Sequence, residues 1–386
     1  LVTLDDSAMS AFALAVLLLP VWVYLIGTAA AAAYFARRRV VAPAAQPPVS
    51  VLKPLHGDEP GLYENLRSFV DQDYPAAQFV FGVRSPADGA VDVVRALMRE
   101  RPERDIALAI DPRARGSNLK VANLENMLPA ARHDILVIAD SDMRVDRRYL
   151  ATITAPLQDP AVGLVTCLYK GSPIGGLWSA LGALQINYGF LPSALVGEAL
   201  GAGHGCFGAT IALRREVLDR IGGFATLRDE LADDHRTGAA VRELGLRVIL
   251  SSYLVENQVG EPSLYGLWRH ELRWARTVRA MAPVGFAASV LTHSIIIAAL
   301  AAALSGLSQV SCGFFALSCV LRWASAAGLA RLLGLSTTGL WLLPLRDVLT
   351  FAVFVGSFCG RSVFWRDQLF RVQSDGRMSA DGDRLG

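Results

Sequence analysis

The stretch AMSAFALAVLLLPVWVYLIGTAAAAAYF, from Ala8 to Phe35, contains no charged side chain. It is long enough to cross a hydrocarbon core of about 30 Å as a helix, which limits the chain to folds anchored in a bilayer or processed from a secretory precursor. A cleavable signal starts basic and has a shorter apolar core. Here Asp5 and Asp6 precede the run, while Arg37, Arg38 and Arg39 follow it. That asymmetry predicts a retained anchor at 8–36 with its C-terminal side in the cytoplasm.

Three further apolar segments lie near the other end: APVGFAASVLTHSIIIAALAAALSGL, VSCGFFALSCVLRWASAAGLARLLG and GLWLLPLRDVLTFAVFVGSFCG, together spanning about 283–361. The last is interrupted by Arg346 and Asp347. If all three crossed, the tail at 362–386, with Arg366, Arg371 and Arg377 beside Arg361, would lie outside, against the positive-inside tendency. One of the three is therefore expected to be re-entrant or interfacial. A hydrophobic share of 53% fits a chain partly in lipid.

Between the apolar ends, from about 49 to 280, composition becomes that of an α/β domain. SVLKPL, FVFGVRS, IALAI, DILVIAD and VGLVTCLY read as strands, with GLYENLRSFVDQ and AVDVVRALMRERP as intervening helices. The alternation predicts a mostly parallel sheet covered on both faces. A net charge of +2, without a dense basic block, excludes nucleic acid as the partner. Five cysteines without close pairing read as buried thiols in a reducing compartment, not as a zinc site.

Ligands of open α/β sheets bind beyond the carboxyl ends of the strands, and VIADSD carries Asp140 and Asp142 out of an apolar strand at such an end. On extended backbone, positions i and i+2 face the same way, so both carboxylates would meet one ligand. Two hard oxygen donors without His or Cys suit Mg2+ or Mn2+ shared with substrate phosphates. The plain alternative is a turn that caps the next helix. An aspartyl-phosphate phosphatase motif fits poorly, because Met143 and Arg144 follow the second Asp.

Other residues fit the same chemistry. Asp88 follows the strand FVFGVRS, and Asp233-Asp234 enters an amphipathic helix. Arg269, Arg273, Arg276 and Arg279 offer cations beside the membrane. Acids for a metal and a base, with guanidinium groups for phosphate, are the parts needed for transfer from a nucleotide sugar. Each has a structural alternative: a turn for Asp88, a helix cap for Asp234, and interfacial anchors for Arg273 and Trp274.

In order, SVLKPLHGDEPGLYENLRSFVDQDYP, GSNLKVANLENML, ADSD, GGF, ADD and LRW resemble the motifs of inverting family 2 glycosyltransferases. Within that group they are most similar to the ceramide glucosyltransferase branch and, inside it, to the bacterial hopanoid-biosynthesis-associated glycosyltransferases. The resemblance implies a nucleotide-sugar-binding domain of the glycosyltransferase A type. It places Asp88 on the uracil ring, Asp140 and Asp142 on metal and diphosphate, and Asp234 as general base. Arg273 and Trp274 match the end of a (Gln/Arg)-x-x-Arg-Trp motif whose first position here is His270, while Lys53, Lys120 and Asn123 would stand near the nucleotide.

The function so implied is transfer of one sugar from a UDP-sugar to a lipid hydroxyl, by an enzyme of the inner (cytoplasmic) membrane with its catalytic domain in the cytoplasm. N-acetylglucosamine to a hopanoid polyol comes first, and glucose to the sphingolipid ceramide second. A processive polysaccharide synthase would need more spans, and a catalytically silent scaffold would keep the fold without binding UDP. The almost uncharged segment around INYGFLPSALVGEALGAGHGCFG is either a core helix and loop or a membrane-facing helix and flexible gate for the lipid, with His204 in its glycine-rich part.

Overall fold

A computed structural model describes residues 6–38, 45–201, 205–360, 362–365, 368–372 and 378–380. Arg39, His204, Arg361, Arg366 and Arg377 lie outside the described residues. After α1 (Asp6–Ala36) the chain alternates through β1 (Val49–Pro54), α2 (Leu62–Val70), β2 (Ala77–Val83), α3 (Ala90–Glu100), β3 (Asp105–Ile110), α4 (Leu119–Met127) and β4 (Ile135–Ile138). It continues with β5 (Met143–Arg144), α5 (Tyr149–Thr154), β6 (Val162–Pro173), α6 (Leu177–Gln185), α7 (Leu191–Ala199), β7 (Ile211–Arg214), α8 (Arg215–Arg220), α9 (Asp233–Glu243) and β8 (Arg247–Val259). The helices α10 (Leu264–Met281), α11 (Pro283–Ala288), α12 (Ser294–Leu304), α13 (Gln309–Leu333) and α14 (Leu343–Ser357) follow. Three short strands, β9 (Ser362–Trp365), β10 (Gln368–Val372) and β11 (Met378–Ala380), form a small antiparallel sheet.

The main sheet has the order β3-β2-β1-β4-β7-β6-β8-β5. Strands β3, β2, β1 and β4 are parallel, β6 and β8 are parallel, and β7 runs antiparallel between β4 and β6. The sheet is thus mostly parallel, as its β-branched runs imply. β1 and β4 are buried along their whole length because apolar layers cover both faces. On one side Leu66, Phe69, Val94 and Tyr149 from α2, α3 and α5 pack together. On the other, Val121, Leu124, Val217 and Val241 from α4, α8 and α9 do so.

A third apolar layer joins the domain to the long apolar helices. Leu168 of β6, Leu181 and Leu184 of α6 and Leu191 of α7 pack with Ala32 of α1 and Ala326 and Leu329 of α13. Small residues let these helices approach closely, and Thr28 and Ser325 hydrogen-bond across them at 2.8 Å. Between α6 and α7, Ile186–Phe190 forms a single π-helical turn. There the Asn187 amide grips both the N–H and the C=O of Gly171 in β6, at 2.8 and 2.9 Å. The helix expected in either reading of this segment is therefore, up to Gly201, a helical pair bonded to the sheet.

Ala11–Ala36, Gln309–Leu333 and Leu340–Ser357 are long and apolar enough to cross a membrane. The first of the three C-terminal segments instead breaks at His293, where Pro283–Thr292 meets Ser294–Leu304 at 67°. The segment interrupted by charge is the straighter one, because its charges are paired. Asp347 receives the Arg322 guanidinium at 3.1 and 2.8 Å, and Arg346 donates to both oxygens of Glu271 at 2.7 and 2.8 Å. The cysteine reading needs correction: Cys167 and Cys206 are buried free thiols, Cys319 is half-buried, and Cys312 and Cys359 are exposed.

Candidate active site

β1, β2 and β4 are parallel, so the segments after Pro54, Val83 and Ile138 emerge at one edge of the sheet. The residues at 140–142 form a turn, not extended strand, with Met143 N–H donating to the Asp140 carbonyl at 3.4 Å. Alternation therefore does not align the two carboxylates, and each turns to its own neighbour. Asp140 Oδ1 meets Lys120 Nζ at 2.7 Å. Asp142 Oδ2 accepts from Asn257 Nδ2 of β8 at 2.7 Å.

Lys120 reaches Asp140 because Asn118 starts α4, accepting from the N–H groups of Lys120 and Val121. The same ammonium lies 3.6 Å from Asp233 Oδ2. Burial alone would lower its pKa, but Asp140, Asp233 and Asp234 outweigh this and hold it above the ordinary lysine range. Asp234 stands in the first turn of α9, and neither acid caps that helix, which begins after Ala232. Asp234 instead accepts from His235 N–H at 2.7 Å and Gly208 N–H at 2.9 Å. Burial, then the Asp233 charge, raises its pKa to about 6 against the pull of Lys120 and these two bonds.

Gly208 is the point where these groups converge. A Cβ there would lie 3.1 Å from Asp140 Oδ2, 3.2 Å from Lys120 Nζ and 3.6 Å from Asp234 Oδ2. The spacing leaves room for a backbone and little more. Asp142 is pushed up to about 7, first by burial and then by Asp140 and Glu59. It lines a cavity of about 210 Å³ that extends to His270, Glu271 and Trp274 of α10. Trp274 packs against Ala183, Ile186 and Val259.

Two of the residues expected near the nucleotide are buried beneath the edge. Lys53 is 0% exposed, its Nζ donating to the Asp140 carbonyl at 2.7 Å over the Phe69 ring at 3.6 Å. Burial lowers its pKa to about 7, opposed by Asp142, Asp140 and Glu59. Asn123 is 1% exposed and donates to the Gly82 carbonyl at 2.8 Å, tying α4 to β2. Both hold the edge from beneath. Asp88 lies at the same edge beyond β2, its Oδ1 taking the N–H groups of Gly57 at 2.9 Å and Ala90 at 3.0 Å. Its carboxylate thus orders the turn, and among the described residues it is not part of the Asp142 cavity.

One residue at the centre had no sequence signal. Tyr169 of β6 lies where Asp234, Asp142, Asp140 and Arg273 all bear on its phenol; after burial, the three carboxylates raise its pKa and Arg273 opposes them. Its ring stacks on Phe190 at 4.8 Å. In the sequence it is one more aromatic in a strand, and only the fold reveals that β6 runs beneath both acidic elements.

The donor set can be weighed for a divalent cation. Among the described residues no three His, Cys, Asp or Glu side chains form a metal cluster. Two carboxylates of a tight turn, one with its pKa raised first by burial and then by its acidic neighbours, fit an ion that takes one or two protein oxygens and completes its shell with water and phosphate. They do not fit an all-protein cage.

The family model for glycosyl transferase family 21 matches residues 13–378. Ceramide glucosyltransferase 1 of Caenorhabditis elegans is 27% identical over 239 residues, covering 61% of this chain and 51% of that protein. Ceramide glucosyltransferase 3 of the same organism is 26% identical over 239 residues, with 61% and 52% covered. The chain thus spans about half the length of these relatives. Among solved structures, a mannosyltransferase from Pyrobaculum calidifontis in complex with GDP-Man and Mn2+ superposes with a TM-score of 0.52 at 22% identity, over 91% of this chain and 98% of that one, which shows a shared fold. The motifs pointed to family 2 and its ceramide glucosyltransferase branch; the match is to family 21, with ceramide glucosyltransferases among the relatives. The chain belongs to glycosyl transferase family 21.

Proposed function

We propose that the protein moves one sugar from a UDP-sugar to a lipid hydroxyl at the cytoplasmic face of the inner membrane, with inversion at the anomeric carbon. The observation that carries this reading is the convergence of Asp140, Lys120 and Asp234 on Gly208, in a domain packed through α6 and α7 onto apolar helices. An acceptor from the bilayer has a short path to a site built so close to lipid.

In this reading Asp234 takes the proton of the attacking hydroxyl. A carboxylate of pKa about 6 is ionised at neutral pH yet more basic than an ordinary one. Asp140 and Asp142 would hold Mg2+ or Mn2+ against the diphosphate, where the ion supplies charge neutralisation for the leaving group. Lys120 fixes the Asp140 carboxylate, and Arg273 adds a cation on the α10 side. Tyr169 lies between the base and the metal side, and Trp274 gives an aromatic wall. Asp88 remains the candidate for the uracil ring, since its edge is the one used by nucleotides in such sheets.

N-acetylglucosamine with a hopanoid polyol is the first pair of substrates, from the motif resemblance. The names of the curated relatives favour glucose and ceramide as the second. Detergent-purified protein with Mn2+ and each UDP-sugar and lipid in turn should release UDP with one pair. Asp234→Asn should abolish turnover while UDP binding, measured by calorimetry, persists. Full turnover in that variant removes Asp234 from the base role, and no UDP binding at all would favour a silent scaffold.

A further inference from the structure

His270 occupies the position where the motif resemblance calls for Gln or Arg, and its surroundings are not those of a phosphate site. Its Nδ1 lies 2.7 Å from Glu261 Oε1. The Glu261 side chain is only 14% exposed, and because a carboxylate accepts, the contact places a proton on Nδ1. Among the described residues no hydrogen bond to Nε2 is formed, and the ring lines the 210 Å³ cavity. The imidazole also meets the Trp274 ring, with centroids 4.3 Å apart, and that indole is set firmly against Ile186 and Val259. The ring is thus held on two sides with one nitrogen uncommitted.

The cavity lining sets the chemistry of what that nitrogen meets. Glu59, Asp142, Glu261 and Glu271 contribute to the wall, and no Lys or Arg does so among the described residues. Glu271 is neutralised from behind by Arg346, and Asp142 is held by Asn257. Away from the divalent ion that Asp140 and Asp142 would share, a phosphate would meet carboxylates along this wall with no lysine or arginine lining it. A hydroxyl donates to carboxylates and to a neutral imidazole nitrogen alike, and an aromatic wall suits the C–H face of a ring. Hydrogen-bond acceptors beside an indole fit an uncharged, hydroxyl-bearing group.

We propose that His270, oriented by Glu261 and braced by Trp274, is a specificity-determining residue whose Nε2 accepts a hydrogen bond from a substrate hydroxyl seated between Asp142 and Trp274. This deepens the reading of the protein as a glycosyltransferase acting on a lipid alcohol and rests on it. The hydroxyl belongs either to the transferred sugar or to the acceptor, and the chemistry at Nε2 is the same for both. His270 is thereby a reader of hydroxyls, and the diphosphate lies on the Asp140 side.

The test compares wild type, His270→Ala, His270→Gln and Glu261→Gln in detergent with Mn2+. Each is assayed for the KM of the acceptor alcohol, the KM of the UDP-sugar and the inhibition constant of UDP alone. Losing one hydrogen bond and its orientation should raise one of the two KM values about tenfold in His270→Ala while UDP inhibition moves less than about twofold. Glu261→Gln should move the same KM in the same direction, because the tautomer is no longer fixed. His270→Gln, whose amide reaches the place of Nε2, should recover part of the loss, and it reports even if the alanine variant does not fold.

A rise in acceptor KM assigns the hydroxyl to the lipid, and a rise in UDP-sugar KM assigns it to the sugar. A parallel rise in the UDP inhibition constant would overturn the proposal, since His270 would then hold the diphosphate. A fall in kcat with both KM values unchanged would overturn it as well. Wild-type transfer to the alcohol tests the underlying function, whereas the ratio of UDP-sugar to UDP affinity, obtained by calorimetry without turnover, tests His270 at the donor.

Discussion

The pair Glu271–Arg346 gives a sharp quantitative expectation. Arg346 is 1% exposed and Glu271 is 5% exposed, and two charge-assisted bonds of 2.7 and 2.8 Å join them. Arg346 also donates to the Leu181 carbonyl at 3.3 Å and to Thr350 at 2.9 Å. Removing one partner leaves the other charge buried without compensation, which costs about 3–5 kcal/mol. Replacing both with apolar residues removes the problem together with the bond and should cost far less. For 386 residues, an unfolding entropy of about 2.1 cal/mol/K per residue converts the single loss into a Tm decrease of about 4–6 °C. Glu271→Leu and Arg346→Leu should each show this by intrinsic tryptophan fluorescence in detergent, and the double variant should recover at least half. Because Glu271 sits between His270 and Arg273 on α10, the single variants should also lose turnover at temperatures where they remain folded. Additive losses in the double variant, or single variants within about 1 °C of wild type, would refute the account of a buried pair fixing α10 to α14.

Three further expectations concern the catalytic edge. With Asp234 as the base at a pKa of about 6, kcat/KM should be flat above that pH and fall about tenfold per unit below it. The stabilising contribution of the same group runs the other way. A carboxylate raised above its unfolded value of about 3.9 favours the fold fully below that value and loses the effect as pH rises through about 6. A pH–rate profile without an acid limb near 6 would contradict the assignment. Chelation by EDTA should stop UDP release and added Mn2+ restore it, with Asp142→Asn needing more Mn2+ for half-maximal rate; a rate indifferent to chelator would remove the metal. Gly208→Ala, whose methyl would press on Asp140 and Lys120 at 3.1 and 3.2 Å, should lower kcat by at least about tenfold with little change in Tm.

Much of the architecture is legible because burial on both sides of a parallel sheet writes continuous apolar runs, and each run read as a strand forms one. The strands β7 and β8 escape this reading for different reasons. Ile211–Arg214 is only a few residues long and lies beside a glycine-rich loop, while Arg247–Val259 mixes polar and apolar positions because it pairs near the sheet's edge. The broken segment at His293 is invisible to composition, since all three C-terminal runs are apolar enough. Counting charges also misplaced suspicion on Arg346 and Asp347, which are tolerated because Glu271 and Arg322 stand opposite them.

At the site, the acids are found by position and misjudged by geometry. Asp140 and Asp142 were expected to align through strand alternation, yet they belong to a turn that sends one toward α4 and α9 and the other toward β8 and α10. This divergence has a chemical meaning. The Asp140 side gathers Lys120, Asp233 and Asp234, where a diphosphate and a proton acceptor would be needed, while the Asp142 side opens on an aromatic, carboxylate-lined cavity with room for neutral atoms. Lys53 and Asn123 are conspicuous polar residues in the motifs because the edge must be held from below, the turn by a buried ammonium on the Asp140 carbonyl and α4 against β2 by a buried amide on Gly82. A residue can therefore mark a site in the sequence by supporting its backbone, without touching what binds there.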